Sequence, residues 1–228
     1  MASKRSYHHG NLRSALISAA LRELAHAGPE GFALRSVARR AGVAAPAVYR
    51  HFQDKDALLA AVAVECADRL AAAMSEAAAA APPDPLERFR ATGIAYLRFA
   101  VAHPDYFRAM SVPGLFDRTP PDQRARMHAF EAAQRRELTE AQAAGLICDL
   151  PIDHILLVAG ATITGLAHLI LEGQLGNVDD ARATELAITA TAALGAGFWP
   201  RPEGFDDPLT GVHHKGSRER RPGRTGSS

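Results

Sequence analysis

Between Phe32 and Lys55 the sequence FALRSVARRAGVAAPAVYRHFQDK gathers side chains able to hold a polyanion: Arg35, Ser36, Arg39 and Arg40, then Tyr49, Arg50, His51 and Lys55. A guanidinium presents a planar fork of N–H donors that suits a phosphate or the edge of a base, whereas lysine acts as a compact point charge. The rest of the chain offers no rival constellation. No Ser-His-Asp order, carboxylate pair, phosphate-cradling glycine loop or metal-ligand spacing occurs, and His154 and His168 stand alone. His8-His9 is followed by no third ligand at ligand spacing. Cys66 and Cys148 are far apart and lack a CxxC motif, so reduced, buried thiols are expected rather than a disulfide or a zinc site. Catalysis, a metal and a cofactor are all unexpected.

Two short helices must position these donors. Leu34, Val37, Ala38 and Ala41 share one helical face while Arg35, Ser36, Arg39 and Arg40 lie off it. Gly42 sits where the chain has to leave that helix sharply, a place for a residue without Cβ, and Val43 plugs the angle. A second helix from Ala45 to Phe52 turns Val48 and Phe52 inward and leaves Tyr49, Arg50 and His51 for a partner. The pattern is a helix-turn-helix. Net charge is only +1, but residues 1–56 carry nine Lys/Arg against Glu23, Glu30, Asp54 and Asp56, a balance of +5. The stretch from Lys215 adds +4, which leaves −8 in between. A basic head on an acidic body is the distribution of a chain that meets a polyanion at one end.

The remaining pattern predicts an all-α chain of about nine helices. Alanine is abundant, 47% of residues are hydrophobic, and no run of alternating β-branched residues reads as a strand. Residues 1–8 form a basic arm and 9–56 the helix-turn-helix domain. A long fourth helix, capped by Asp54, leads from the head into a helical body at 57–200 and stops at Pro82-Pro83. Asp84-Pro85-Leu86-Glu87 is a helix-start signature, and the helix opened by Pro151 is apolar almost all round, which calls for burial on several sides. Residues 201–228 are rich in Gly, Pro, Ser and charge and read as a disordered basic tail. No stretch reaches the roughly 18 uncharged apolar residues needed to span a bilayer, and no apolar leader opens the chain, so a cytoplasmic location is expected.

The order Gly42-Val43, Pro46, Val48-Tyr49, His51-Phe52, Lys55 and Leu58-Leu59 resembles the DNA-binding domain of the TetR/AcrR family of bacterial repressors. In the body, AYLRFAVAHPDYFRAM and ITGLAHLILEG resemble the C-terminal domain of the subgroup named for a Trp-His-Gly motif, although Gly160, Thr164 and Gly165 stand at the motif's positions. The resemblance implies a DNA-binding set of Arg35, Ser36, Ala44, Ala45, Pro46, Ala47, Tyr49, Arg50, His51 and Lys55. Within it Ala45, Pro46 and Ala47 face the bases, where they offer only apolar contact with thymine methyls. Arg35 is the candidate to read a guanine, Tyr49, His51 and Lys55 hold phosphates, and Arg50 serves either role. Lys4 and Arg5 can drop into the minor groove. Ala33 and Ala44 depart from the family's frequent Ser or Thr caps.

The same resemblance implies an inducer pocket, with Tyr96, Phe99, Phe107, Met110, Phe116, Met127, Phe130, Gln134, Thr162 and His168 as candidates. It also implies a homodimer through helices 8 and 9, using Ile155, Ile163, Leu166, Ile170, Leu186 and Leu194. Such a dimer sets two heads on an inverted-repeat, palindromic operator of double-stranded DNA, and a small hydrophobic or aromatic inducer releases it. The competing class is a nonspecific DNA-binding or scaffolding protein, favoured by the basic tail and the plain Ala45-Pro46-Ala47 surface.

Overall fold

A computed structural model describes residues 9–197, which form nine α-helices and no strand. The arm with Lys4 and Arg5 and the tail 201–228 lie outside the described residues. In the head, α1 (His9–Gly31) kinks at Gly28, whose φ of 67° a glycine adopts without strain, with Pro29 next. Then come α2 (Leu34–Arg40) and α3 (Ala45–Tyr49). The last is shorter than its pattern suggests, yet Phe52 still reaches the core because its N–H bonds back to the Val48 carbonyl at 2.9 Å. Leu16, Leu24, Val37, Val48, Leu58 and Val62 are completely buried together.

Helix α4 (Lys55–Ala80) runs 26 residues, on the order of 40 Å. The Asp54 carboxylate caps it by accepting from the Ala57 N–H at 2.8 Å. Asp84 does the same for α5 (Pro85–Ala102) at the Glu87 N–H, 2.9 Å. This helix is the axis of the body, packing on α4, α7 (Pro121–Ala143), α8 (Ile152–Leu171) and α9 (Asp180–Gly197). Between α5 and α7 lie α6 (Pro104–Met110) and a 3-10 turn at Phe116–Arg118.

That intervening segment crosses the boundary the sequence suggests. Ala109 and Leu115 are buried in the head's core, with Tyr106, Met110, Val112 and Phe116 packed against it. Arg118 fastens the turn by donating to Asp56 at 3.3 Å and to the Gly114 carbonyl at 2.5 Å. Division at residue 56 is therefore a division of sequence, not of core.

One expectation needs correction. By length and composition α8 is apolar enough to cross a membrane, with a mean hydropathy of 1.9, because its only charge is Asp153 near the start. Its Ile155, Ile163, Ala167 and Ile170 are buried against the rest of the body, while most of the helix is not, only 22% of the stretch being buried.

Leu115→Ala tests the shared core. It should lower unfolding free energy by about 2–5 kcal/mol in urea titration, as for a fully buried leucine. A change within about 0.5 kcal/mol would show that the turn merely rests on the head.

Candidate nucleic-acid interface

The turn between α2 and α3 is set by the backbone. Gly42, at φ 71°, donates its N–H to the Arg39 carbonyl at 3.1 Å, and Val43 donates to the Ala38 carbonyl at 2.9 Å. These are the two bonds of a Schellman stop, possible because glycine takes the left-handed region freely. Neither α2 nor α3 has a side-chain cap, since Ala33 and Ala44 hold those positions. A part-buried ion pair joins α2 to α1 instead: Arg40, itself exposed, donates Nε (3.2 Å) and Nη2 (3.0 Å) to Glu23 Oε2, with Glu23 only 7% exposed. Two more cations are engaged internally. Arg13 lies 5.2 Å over the Phe52 ring, and Lys55 donates to the Pro29 carbonyl at 3.0 Å while sitting 5.4 Å over the Phe32 ring.

What remains outward is a compact polar face. Arg35, Arg39 and Arg50 are exposed without an ion pair or hydrogen bond from their guanidiniums among the described residues, and Tyr49 is 57% exposed beside them. Ala44 and Pro46 are exposed, while Ser36, Ala45 and His51 are half-buried. A short helix carrying such side chains fits the roughly 12 Å width of the major groove.

Two of the body's cavities share a wall. One, of about 460 Å³, lies against α4 and is walled by Leu70, Ala71 and Met74 of that helix together with Met110, Phe116, Phe130 and His168. The other, of about 230 Å³, lies among α5, α7, α8 and α9. Met74, Tyr96 and Thr164 border both, and the Thr164 hydroxyl approaches the Tyr96 oxygen at 3.4 Å across the partition. Desolvation pushes the Tyr96 phenol above its usual pKa, so it stays a neutral hydroxyl. Outside, α8 and α9 expose Leu157 (70%), Val158, Leu169 and Ile188.

Comparison with known proteins agrees with this architecture at both ends of the chain. Residues 16–62 match the bacterial regulatory proteins of the tetR family, and residues 89–192 match the tetracyclin repressor-like C-terminal domain. The chain belongs to the TetR family. A solved structure of a protein with unknown function from Rhodococcus sp. RHA1 is 35% identical, with a TM-score of 0.68 over 86% of this chain and 100% of that one. A TetR family transcription regulator from Marinobacter aquaeolei VT8 shares the fold at a TM-score of 0.70 and 22% identity, covering 83% of this chain and 96% of that one. The HTH-type transcriptional regulator BetI of Burkholderia ambifaria is 42% identical over 79 residues, 35% of this chain and 41% of BetI. This protein is thus a TetR-family transcriptional regulator with a DNA-binding helix-turn-helix, in a family whose members bind DNA and form dimers.

The geometry revises several residue assignments. Ala47 is 6% exposed and packs inward, so it cannot face bases. Lys55 is half-buried and engaged at Pro29, and Arg39 replaces it as an outward cation that the helical spacing already put off the apolar face. Of the pocket candidates, Tyr96, Met110, Phe116, Met127, Phe130, Gln134 and His168 line a cavity. Phe99 instead stacks with His103 and Tyr106. Phe107 backs His168 from the core, its ring centroid 4.8 Å away. Thr162 turns its hydroxyl to the Val158 carbonyl, away from either cavity. For the dimer set, Ile155, Ile163 and Ile170 are buried inside their own chain, and Leu166, Leu186 and Leu194 are half-buried. Helical periodicity names the apolar residues of α8 and α9, but in a helix apolar on all sides it cannot tell which face is inward. The outward ones are Leu157, Val158, Leu169 and Ile188.

Cys66 on α4 is fully buried, and burial, helped by neighbouring Glu65, pushes its thiol up to about 12. Almost no thiolate forms at pH 8, and the thiolate is the reactive species. Iodoacetamide at that pH should leave Cys66 unmodified in the native protein and label it in urea, as read by peptide mass spectrometry. Native labelling would contradict the burial.

Proposed function

We propose that this regulator is a cytoplasmic, ligand-responsive repressor that binds an inverted-repeat operator as a homodimer and is released by a small hydrophobic or aromatic inducer. The observation that carries this reading is the double membership of α4. Its first turns, at Leu58, Leu59 and Val62, belong to the head's core, and its later turns, at Leu70, Ala71 and Met74, wall the larger cavity. A compound filling that cavity acts directly on the helix that carries the head. It shifts the balance only as far as it prefers one position of α4 over the other.

Dimerisation is supported by the apolar stripe on α8 and α9. Leu157, Val158, Leu169 and Ile188 lie open to water in a single chain, and a second copy related by a twofold axis covers the same patch on both partners. The heads then enter successive major grooves about 34–36 Å apart. Leu157→Glu should yield a monomer by sedimentation velocity at micromolar concentration and abolish operator binding while leaving helicity unchanged. A variant that remains dimeric would place the interface elsewhere.

Base reading falls to Arg35 at the start of α2 and to apolar contact from Pro46, while Arg39, Arg50 and Tyr49 serve the phosphates. Selection from random DNA should give a palindromic motif. Arg35→Ala should relax it at one position per half-site, a loss of about 1–3 kcal/mol of discrimination. Arg50→Ala should weaken all sequences alike and reduce the salt slope by about 1 per head. If no motif emerges and binding follows salt alone, the head is a phosphate binder and the nonspecific DNA-binding reading takes over.

A further inference from the structure

The smaller cavity contains a chemical mismatch. Its walls are apolar, with Leu138, Ile147, Ile155 and Ile163 among them, and of the residues lining it only Arg90 carries a charge. The neutral polar groups there are provided for. The Thr92 hydroxyl donates to the Phe89 carbonyl at 2.7 Å and stands 3.3 Å from the Gln134 amide nitrogen, Tyr96 and Thr164 face each other, and the Thr191 hydroxyl donates to the Ala187 carbonyl. Arg90 differs. Its Nη1 reaches Glu87 Oε1 at 2.5 Å, but its Nε–H is buried with no hydrogen-bond partner. A buried donor without a partner is rare in folded proteins because it forfeits water and receives nothing in return.

Glu87 holds Nη1, the Nε–H has no acceptor, and no hydrogen bond from Nη2 occurs among the described residues. A guanidinium held at one nitrogen keeps N–H donors that suit a carboxylate. We infer that the cavity among α5, α7, α8 and α9 binds a small hydrophobic monocarboxylate, its carboxylate on the guanidinium of Arg90 and its apolar body against Leu138, Ile147, Ile155 and Ile163. A volume of about 230 Å³ is below the usual 300–1,000 Å³ of small-molecule pockets and restricts the occupant to a compact acid. No carboxylate among the lining residues opposes it. The acid sits behind the Tyr96–Thr164 partition, one layer removed from the α4 cavity. The inference deepens the ligand-responsive reading, on which its regulatory meaning rests, while the binding itself does not depend on DNA.

Calorimetric titration of the full-length protein with 3-phenylpropanoate, 3-phenylpropan-1-ol and 3-phenylpropylamine tests it. The acid should bind roughly ten-fold or more tightly than the alcohol, and the amine more weakly still, because a hydrogen bond to a charged group is worth that much when desolvated. Arg90→Gln should bring the acid to within about two-fold of the alcohol and leave the alcohol's affinity unchanged. Glu87→Gln should tighten the acid. Equal affinity of acid and alcohol for the unmutated protein overturns the inference without recourse to any variant, as does an acid preference that survives Arg90→Gln. If none of the three binds while other hydrophobic compounds release operator DNA, the acid site is refuted and the repressor reading stands. If the acid binds as described but no compound alters operator affinity, the site stands and the inducer reading falls.

Discussion

A single helix obliged to satisfy two cores is the constraint on which this molecule depends. Leu58, Leu59 and Val62 of α4 are locked among α1, α2 and α3, while Met74, four turns on, is buried in the body. Between them no glycine or proline interrupts the 26 residues, so the helix has no built-in hinge. Rotating its far end to fit a cavity therefore rotates residues that the head cannot release without opening its own core. Packing at close to crystalline density turns such a helix into a lever with few intermediate positions.

The head shows how a helix-turn-helix survives poor local chemistry. An N-cap side chain is worth about 1 kcal/mol, and two are lacking here, at Ala33 and Ala44. The Schellman stop at Gly42 and the Glu23–Arg40 pair take over the task of fixing the angle between α2 and α3 and their seat on α1. Removing Arg40 strands the Glu23 carboxylate at a nearly closed site, whereas removing Glu23 leaves an arginine that water can reach. Arg40, like Arg13 and Lys55, thus has a structural partner within the head.

The all-α class, the helix order and the caps at Asp54 and Asp84 were legible because each rests on local periodicity or one side chain's reach. The turn at Gly42 was legible for the same reason. What escaped was whatever depends on distant partners. Lys55 looks like a free cation until Pro29 and Phe32 are brought to it, and Ala47 looks exposed until the core closes beneath it. The inward and outward faces of α8 carry the same kinds of residue, so Ile163 and Leu157 are interchangeable in sequence and opposite in space. Arg90 gave no signal at all, since its importance lies in an acceptor that is missing from its surroundings.

Leu115 and Ala109 belong to the body by sequence and to the head by packing. A head grafted alone onto another regulator's body would arrive with an open socket where these residues fit, and would have to find a replacement of the same shape. Modularity in this protein is thus narrower than its two-part sequence suggests: the unit that can be exchanged includes α6 and the turn after it. Where heads and bodies have been shuffled in evolution, compatible partners at this socket are the condition under which the exchange keeps a folded head.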